Sequence, residues 1–90
     1  MKRVLITGGA SGLGLAMAKY YAAQNWAVCI ADIQDEAGEK IAAQLSEQHG
    51  SDCFFQHLDV TDEAQWSQLQ NTVATRWQGL DALINNAGVA

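Results

Sequence analysis

Gly8, Gly12 and Gly14 fall in the segment Thr7-Gly8-Gly9-Ala10-Ser11-Gly12-Leu13-Gly14, between the apolar run Val4-Leu5-Ile6 and a helical pattern. A glycine-rich turn where a strand hands over to a helix is suited to holding a phosphate group. Glycines let the backbone approach a ligand with no Cβ in the way, and the N–H groups and positive dipole end of the helix attract anions. The spacing G-x-x-x-G-x-G differs from the commonest dinucleotide fingerprint, G-x-G-x-x-G. A P-loop is excluded, because Leu15-Ala16 follow Gly14 where that motif needs Lys and then Ser or Thr. Three glycines in a turn also serve as a plain tight connection.

Asp32 favours the phosphate reading. It closes the apolar run from Ala27, in the place where an acidic side chain accepts hydrogen bonds from both hydroxyls of an adenosine ribose. The alternative is a solvated strand-end carboxylate. A ribose 2′-phosphate would meet Asp32 at close range, and like unit charges ~4 Å apart repel by about 4 kcal/mol at an effective dielectric of about 20. Ser11 and Ile33 are neutral and offer no Arg or Lys to hold that phosphate. NAD is therefore expected over NADP.

Asp59-Val60 ends a third apolar run on the same carboxyl edge, where a carboxylate and a backbone N–H meet the rim of an adenine. Equally, Asp59 caps the helix beginning near Thr61. Asn85 and Asn86 belong to that edge too, since open α/β sheets bind ligands at the carboxyl ends of their strands.

Such residues converge only if alternating strands and helices build a parallel sheet, and that rhythm runs from end to end. Strands are expected at about residues 3–7, 27–32, 53–58 and 82–85. The first helix, about 13–25, is expected to bury a stripe of Leu13, Met17, Tyr20 and Tyr21. The second, about 35–49, presents Ala37, Ile41, Ala42 and Leu45, with Gly50 as its stop. The third, about 62–78, has Thr61 as its expected N-cap, repeats Trp66, Leu69, Val73 and Trp77, and stops at Gly79.

Ninety residues, 49% hydrophobic with a formal net charge of −5, describe one small globular unit. The acidic balance lacks the basic footprint of a nucleic-acid binder, and no run of ~18 apolar residues offers a membrane span. With no signal-peptide pattern at Lys2-Arg3, a cytoplasmic protein is expected. Cys29 and Cys53 read as small buried hydrophobes, and His49 and His57 lack a third ligand at metal spacing. Trp66 and Trp77 read as packing residues, and Glu36, Glu39 and Glu47 as a solvated helix face.

Taken in order and spacing, Thr7-Gly8-x-x-x-Gly12-x-Gly14, Asp32, Asp59-Val60 and Asn85-Asn86-Ala87-Gly88 resemble the N-terminal part of the classical short-chain dehydrogenase/reductase family. The resemblance spans nearly the whole chain. It implies the N-terminal half of a Rossmann-type, doubly wound α/β fold, truncated, with strand order 3-2-1-4. The first two helices would lie on one face of the sheet and the third on the other. It also implies roles: Gly8, Ser11, Gly12, Leu13 and Gly14 wrap the pyrophosphate of NAD, Asp32 takes the adenosine ribose, and Asp59 and Val60 contact adenine. Asn86, with Ala87 and Gly88, would line the ribose side of the cofactor.

The family's chemistry resides in a Tyr-x-x-x-Lys pair, a preceding Ser and a further Asn, all beyond the Asn-Asn-Ala-Gly motif. Tyr20 and Tyr21 are followed four places later by Gln24 and Asn25, so no catalytic residue is assigned and the 90 residues alone are expected to be inactive. A parent oxidoreductase acting on a small alcohol or carbonyl compound, and assembling as a homo-oligomer, is the implied whole. A non-catalytic dinucleotide-binding module and one half of a two-chain assembly are the rival readings. An exposed edge strand and a bare apolar face would make the isolated chain prone to self-association.

Overall fold

A computed structural model of the chain describes residues 1–87. Four strands and three helices alternate as β1 (Arg3–Thr7), α1 (Gly12–Ala23), β2 (Ala27–Asp32), α2 (Asp35–His49), β3 (Cys53–His57), α3 (Glu63–Trp77) and β4 (Ala82–Asn85). All pairings are parallel and the order across the sheet is β3-β2-β1-β4. The strand order expected from the resemblance is thus the one observed. β1 is flanked by β2 and β4, with Thr7 opposite both Ala31 and Asn85, so the strand ends come level on one edge.

Side chains alternate across the pleat and divide the interior in two. Val4, Ile6, Val28 and Ile30 face one way, onto Ala18 and Ala22 of α1 and Ala42 and Leu45 of α2. Leu5, Ala27, Cys29 and Ala31 face the other way, onto Leu69, Val73 and Trp77 of α3. All six residues of β2 are buried, as a strand covered on both faces must be. On the α3 side, Leu83 of the edge strand β4 stays 54% exposed, beside an apolar depression that Leu5, Leu69, Val73 and Leu80 also line. No helix among the described residues is long and apolar enough to cross a membrane.

The helices depart from the expected pattern in instructive ways. α1 does not bury Leu13 or Tyr20, which are 68% and 61% exposed; its inward stripe is Gly14, Ala18 and Ala22, flanked by half-buried Met17 and Tyr21. Small residues there bring the helix axis close to the sheet, so the large ones are pushed to the flanks. α2 likewise buries Gly38 with Ala42 and Leu45, while Ala37 and Ile41 are half-buried, and it ends at Gly50 in the left-handed conformation. The N-cap of α3 is Asp62 and not Thr61: its Oδ1 accepts the Ala64 and Gln65 N–H groups at 2.9 and 3.2 Å. The left-handed C-cap of α3 is Gln78 (φ 66°), one residue before the expected Gly79.

At the amino edge of the sheet, Asp52 ties the loop before β3 to the end of α3. Arg76 reaches it through Nε at 2.8 Å and through Nη2, the Trp77 indole N–H donates to it at 2.8 Å, and the guanidinium lies over the Phe54 ring. The bond from Arg76 holds the Asp52 carboxyl below its ordinary value of 3.8. A carboxyl lowered in the folded state adds stability that is present above its unfolded pKa and is lost as pH falls through the folded one. Half-exposure and salt screening keep the effect small. Asp52→Ala is expected to destabilise the chain by about 1 kcal/mol at neutral pH and to flatten the acid limb below about pH 4, read from urea unfolding between pH 2 and 7. An unchanged acid limb would contradict this role.

Candidate functional site

The carboxyl edge of the sheet brings the turn between β1 and α1 together with the ends of β2, β3 and β4. Gly8 leaves β1 with φ 68°, a left-handed conformation disfavoured for side-chain-bearing residues, and its N–H donates to the Ala31 carbonyl at 2.7 Å. The turn is then fastened to β2 by a buried bond from the Ala10 N–H to Asp32 Oδ2 at 3.0 Å. Asp32 Oδ1 accepts the Gln34 N–H, also at 3.0 Å. At 7% exposure Asp32 is no solvated strand-end carboxylate, since both its oxygens are turned into this corner.

Gly14 explains why the turn can lie so close to the helix it starts. A Cβ on Gly14 would collide with the Gly8 carbonyl oxygen and sit 2.7 Å from Asn86 Nδ2. At Gly8 a Cβ would meet Asn86 Nδ2 at 3.0 Å and the Ala87 backbone at 3.2 Å. The cradle thus keeps free the space that side chains would fill. The N-terminus of α1 is also left bare. Ser11 at its N-cap makes no capping bond with its side chain, no acidic residue lies in the first turn, and among the described residues the N–H groups of Gly12, Leu13 and Gly14 meet no acceptor. α3 differs, because Asp62 caps it and Glu63 follows. Orphan donors plus the helix dipole suit an anion, so the residues present fit a diphosphate.

Thr7 is the residue that joins β4 to this corner. Fully buried, its hydroxyl accepts the N–H groups of Asn86 and Ala87 at 2.9 and 3.0 Å and donates to Asn85 Oδ1 at 3.1 Å. Asn86 Nδ2 reaches the Gly8 carbonyl at 3.4 Å. The asparagines therefore brace the turn from the side opposite Asp32. Gly88 lies outside the described residues.

A pocket of about 190 Å³ opens between these elements, lined by Gly8, Asp32, Ile33, Leu58, Asp59, Val60 and Ala87. It falls below the roughly 300–1,000 Å³ of a pocket for a whole drug-sized ligand, which makes it room for one ring system. Five of its lining residues are among the candidates read from the sequence; Ser11, Gly12, Leu13 and Gly14 lie on the turn and helix start beside it, and Asn86 just past the end of β4. Asp59 does not cap α3. Its Oδ1 accepts the Thr61 hydroxyl at 2.7 Å and the Thr61 N–H at 3.0 Å, which hold its carboxyl below 3.8. The apolar depression under Leu83 is slightly larger, about 230 Å³, but holds no group suited to a charged ligand.

Gln34 and Gln65 are participants that sequence reasoning did not single out, while Thr7 was read only as the head of the glycine motif and Trp66 only as a packing residue. Gln34 Nε2 lies 3.3 Å from Ser11 Oγ, bridging the turn and the β2 end. Cys29 and Cys53 are buried free thiols, and burial pushes the Cys29 thiol well above its ordinary value. His57 pairs with Asp35 at 2.5 Å, and among the described residues no group of three His, Cys, Asp or Glu side chains gathers as a metal site would require.

A family model described as short chain dehydrogenase matches residues 2–90. A cyclopentanol dehydrogenase of Comamonas sp. is 40% identical over 88 residues, 98% of this chain and 35% of that protein. A 3-alpha-(or 20-beta)-hydroxysteroid dehydrogenase of Mycobacterium tuberculosis is 39% identical, over 98% of this chain and 32% of its own length. Among solved structures, L-sorbose reductase from Gluconobacter frateurii complexed with NADPH and L-sorbose superposes with TM-score 0.93 at 30% identity, over 98% of this chain and 34% of that one. An alcohol dehydrogenase from Thermococcus sibiricus complexed with 5-hydroxy-NADP gives TM-score 0.89 at 30% identity, over 92% and 35%. The chain spans about a third of the length of the relatives it matches.

The close approach at Gly14 sets two effects against each other. Alanine would favour the helix by about 1 kcal/mol, whereas overpacking against backbone costs about 1–3 kcal/mol or more. Gly14→Ala is therefore expected to lower the thermal midpoint in spite of its better helix propensity. A raised midpoint would show that the turn is not packed as described.

Proposed function

This chain belongs to the short-chain dehydrogenase family, and on that premise we propose that it is the NAD-binding part of an oxidoreductase acting on an alcohol or carbonyl substrate. The bound nicotinamide would supply the hydride acceptor or donor. The chain's own residues hold the other end of the cofactor: the turn of Gly8, Ser11, Gly12, Leu13 and Gly14 receives the diphosphate, Asp32 the adenosine ribose, and Asp59 with Val60 the adenine. Asn86, Ala87 and Gly88 would border the ribose side. In this reading the proton-transferring residues and the substrate pocket belong to parts of the protein outside these 90 residues, and the whole protein assembles from like subunits in the cytoplasm, a setting that suits two free thiols.

The observation that carries the proposal is the place of Asp32, buried against the turn through Ala10 and lining the pocket beside Asp59. The preference for NAD follows from the same carboxylate. A 2′-phosphate brought against it would be repelled by about 4 kcal/mol at ~4 Å and an effective dielectric of about 20, and exposed Ile33 beside it offers no compensating charge. The NADP(H) forms held by two of the solved relatives are properties of those proteins.

Replacing Asp32 by Ser and Ile33 by Arg together is expected to move the ratio of NADPH to NADH affinity toward NADPH by about tenfold or more, measured by nicotinamide fluorescence titration. Dissociation constants that stay unchanged for both cofactors would refute the assignment.

A further inference from the structure

Asp59 and Val60 are gripped by the first turn of α3, and we propose that Gln65 and Trp66 are positioning residues that give the pocket its choice of purine. The inference rests on the reading of that pocket as an adenine slot and adds to it the groups that set its selectivity.

The Asp59 N–H donates to Gln65 Oε1 at 2.6 Å, and the Trp66 indole N–H donates to the Val60 carbonyl at 2.8 Å. Thr61 occupies Asp59 Oδ1 with two further bonds. With the Asp62 N–H on the Asp59 carbonyl, these contacts use up one donor and three acceptors of the dipeptide. Left over are Asp59 Oδ2, which accepts, and the Val60 N–H, which donates; among the described residues neither has a partner, and both residues line the pocket.

Gln65 does not do what its position would suggest. It is the third helical residue after the cap Asp62, where a Gln side chain ordinarily reaches back to the N–H of the cap itself. That N–H is already bonded to the Asp59 carbonyl at 2.9 Å, and Gln65 passes over it to the N–H of Asp59. Trp66 transmits a second constraint. Its half-buried ring packs against the core cluster of Leu5, Leu69 and Val73, so the packing of α3 on the sheet also places the Val60 carbonyl, and the peptide beyond it.

An acceptor beside a donor complements the edge of adenine, whose N6 amino group donates and whose N1 accepts. Hypoxanthine reverses both, with a carbonyl at C6 and a hydrogen on N1. Against Asp59 and Val60 it would set acceptor on acceptor and donor on donor, leaving groups unpaired on both sides. Discrimination between the two purines depends on the two protein atoms being held, which is the task the geometry assigns to Gln65 and Trp66.

The test is fluorescence titration of the chain with NADH and with reduced nicotinamide hypoxanthine dinucleotide, in wild type, Trp66→Phe, Gln65→Leu and Gln65→Glu. Wild type is expected to prefer NADH by about tenfold or more. Trp66→Phe and Gln65→Leu each lower that preference by about three- to tenfold through weaker NADH binding, with the hypoxanthine analogue little changed. Gln65→Glu keeps an acceptor for the Asp59 N–H and retains most of the preference. A wild type that binds NADH but shows the same preference in whichever of the two disruptive variants remains folded overturns the inference alone. So does a wild type that binds both dinucleotides equally. A wild type that binds neither overturns the adenine-slot reading and the inference with it.

Discussion

One buried hydrogen bond organises this edge of the molecule: the Ala10 N–H on Asp32 Oδ2, joining residues far apart in sequence. It fastens the glycine-rich turn to the end of a strand covered on both faces. A hydrogen bond to a charged partner contributes about 1.5–3 kcal/mol, and leaving a buried donor without its acceptor costs a similar amount. The turn is therefore held in one place before any ligand arrives. The same carboxylate lines the adjoining pocket, so the group that shapes the turn is also the group that the proposed ribose would meet.

The remaining parts follow from how a parallel sheet distributes its ends. Level register puts the ends of β1, β2 and β4 side by side, and every crossover helix begins at that edge. Of the three helix starts, α3 is closed by Asp62 and α2 carries Asp35 and Glu36, which repel an anion. Among the described residues, only α1 offers bare N–H groups with no acid in its first turn. The structure thus separates an anion-compatible helix start from two that are not, using nothing beyond capping chemistry. Thr7 closes the arrangement by holding the β4 end to β1 through one hydroxyl.

Much of this was legible in the residues. The four strands emerge where apolar runs alternate with helical patterns, their order is the one the family resemblance implies, and Gly8, Asp32, Asp59, Val60 and Ala87 do meet at one pocket. What the pattern hid was close packing and second-layer hydrogen bonding. A helix that lies near a sheet buries Gly14, Ala18 and Ala22, residues that a search for large apolar side chains passes over, while Leu13 and Tyr20 face out. Thr61 and Asp62 are both good caps by type, and the choice between them is made by the Asp59 turn, which engages Thr61. Gln34 reaches Ser11 through a contact that only the tertiary fold creates, whereas Gln65 and Trp66 act through bonds back across the loop before α3. Gln65, three positions after a capping Asp, was the one of these with a readable signal.

The most direct test of the account is to follow the backbone amides of the isotopically labelled chain by NMR while NAD is added. The account predicts shifts at Gly8 to Gly14, at Ile33 and Gln34 and at Val60, with the amides of Asn25, Asp52 and Gly79 at the opposite edge unmoved. Shifts gathered instead around Leu80 and Leu83, or none at saturating NAD, would contradict it.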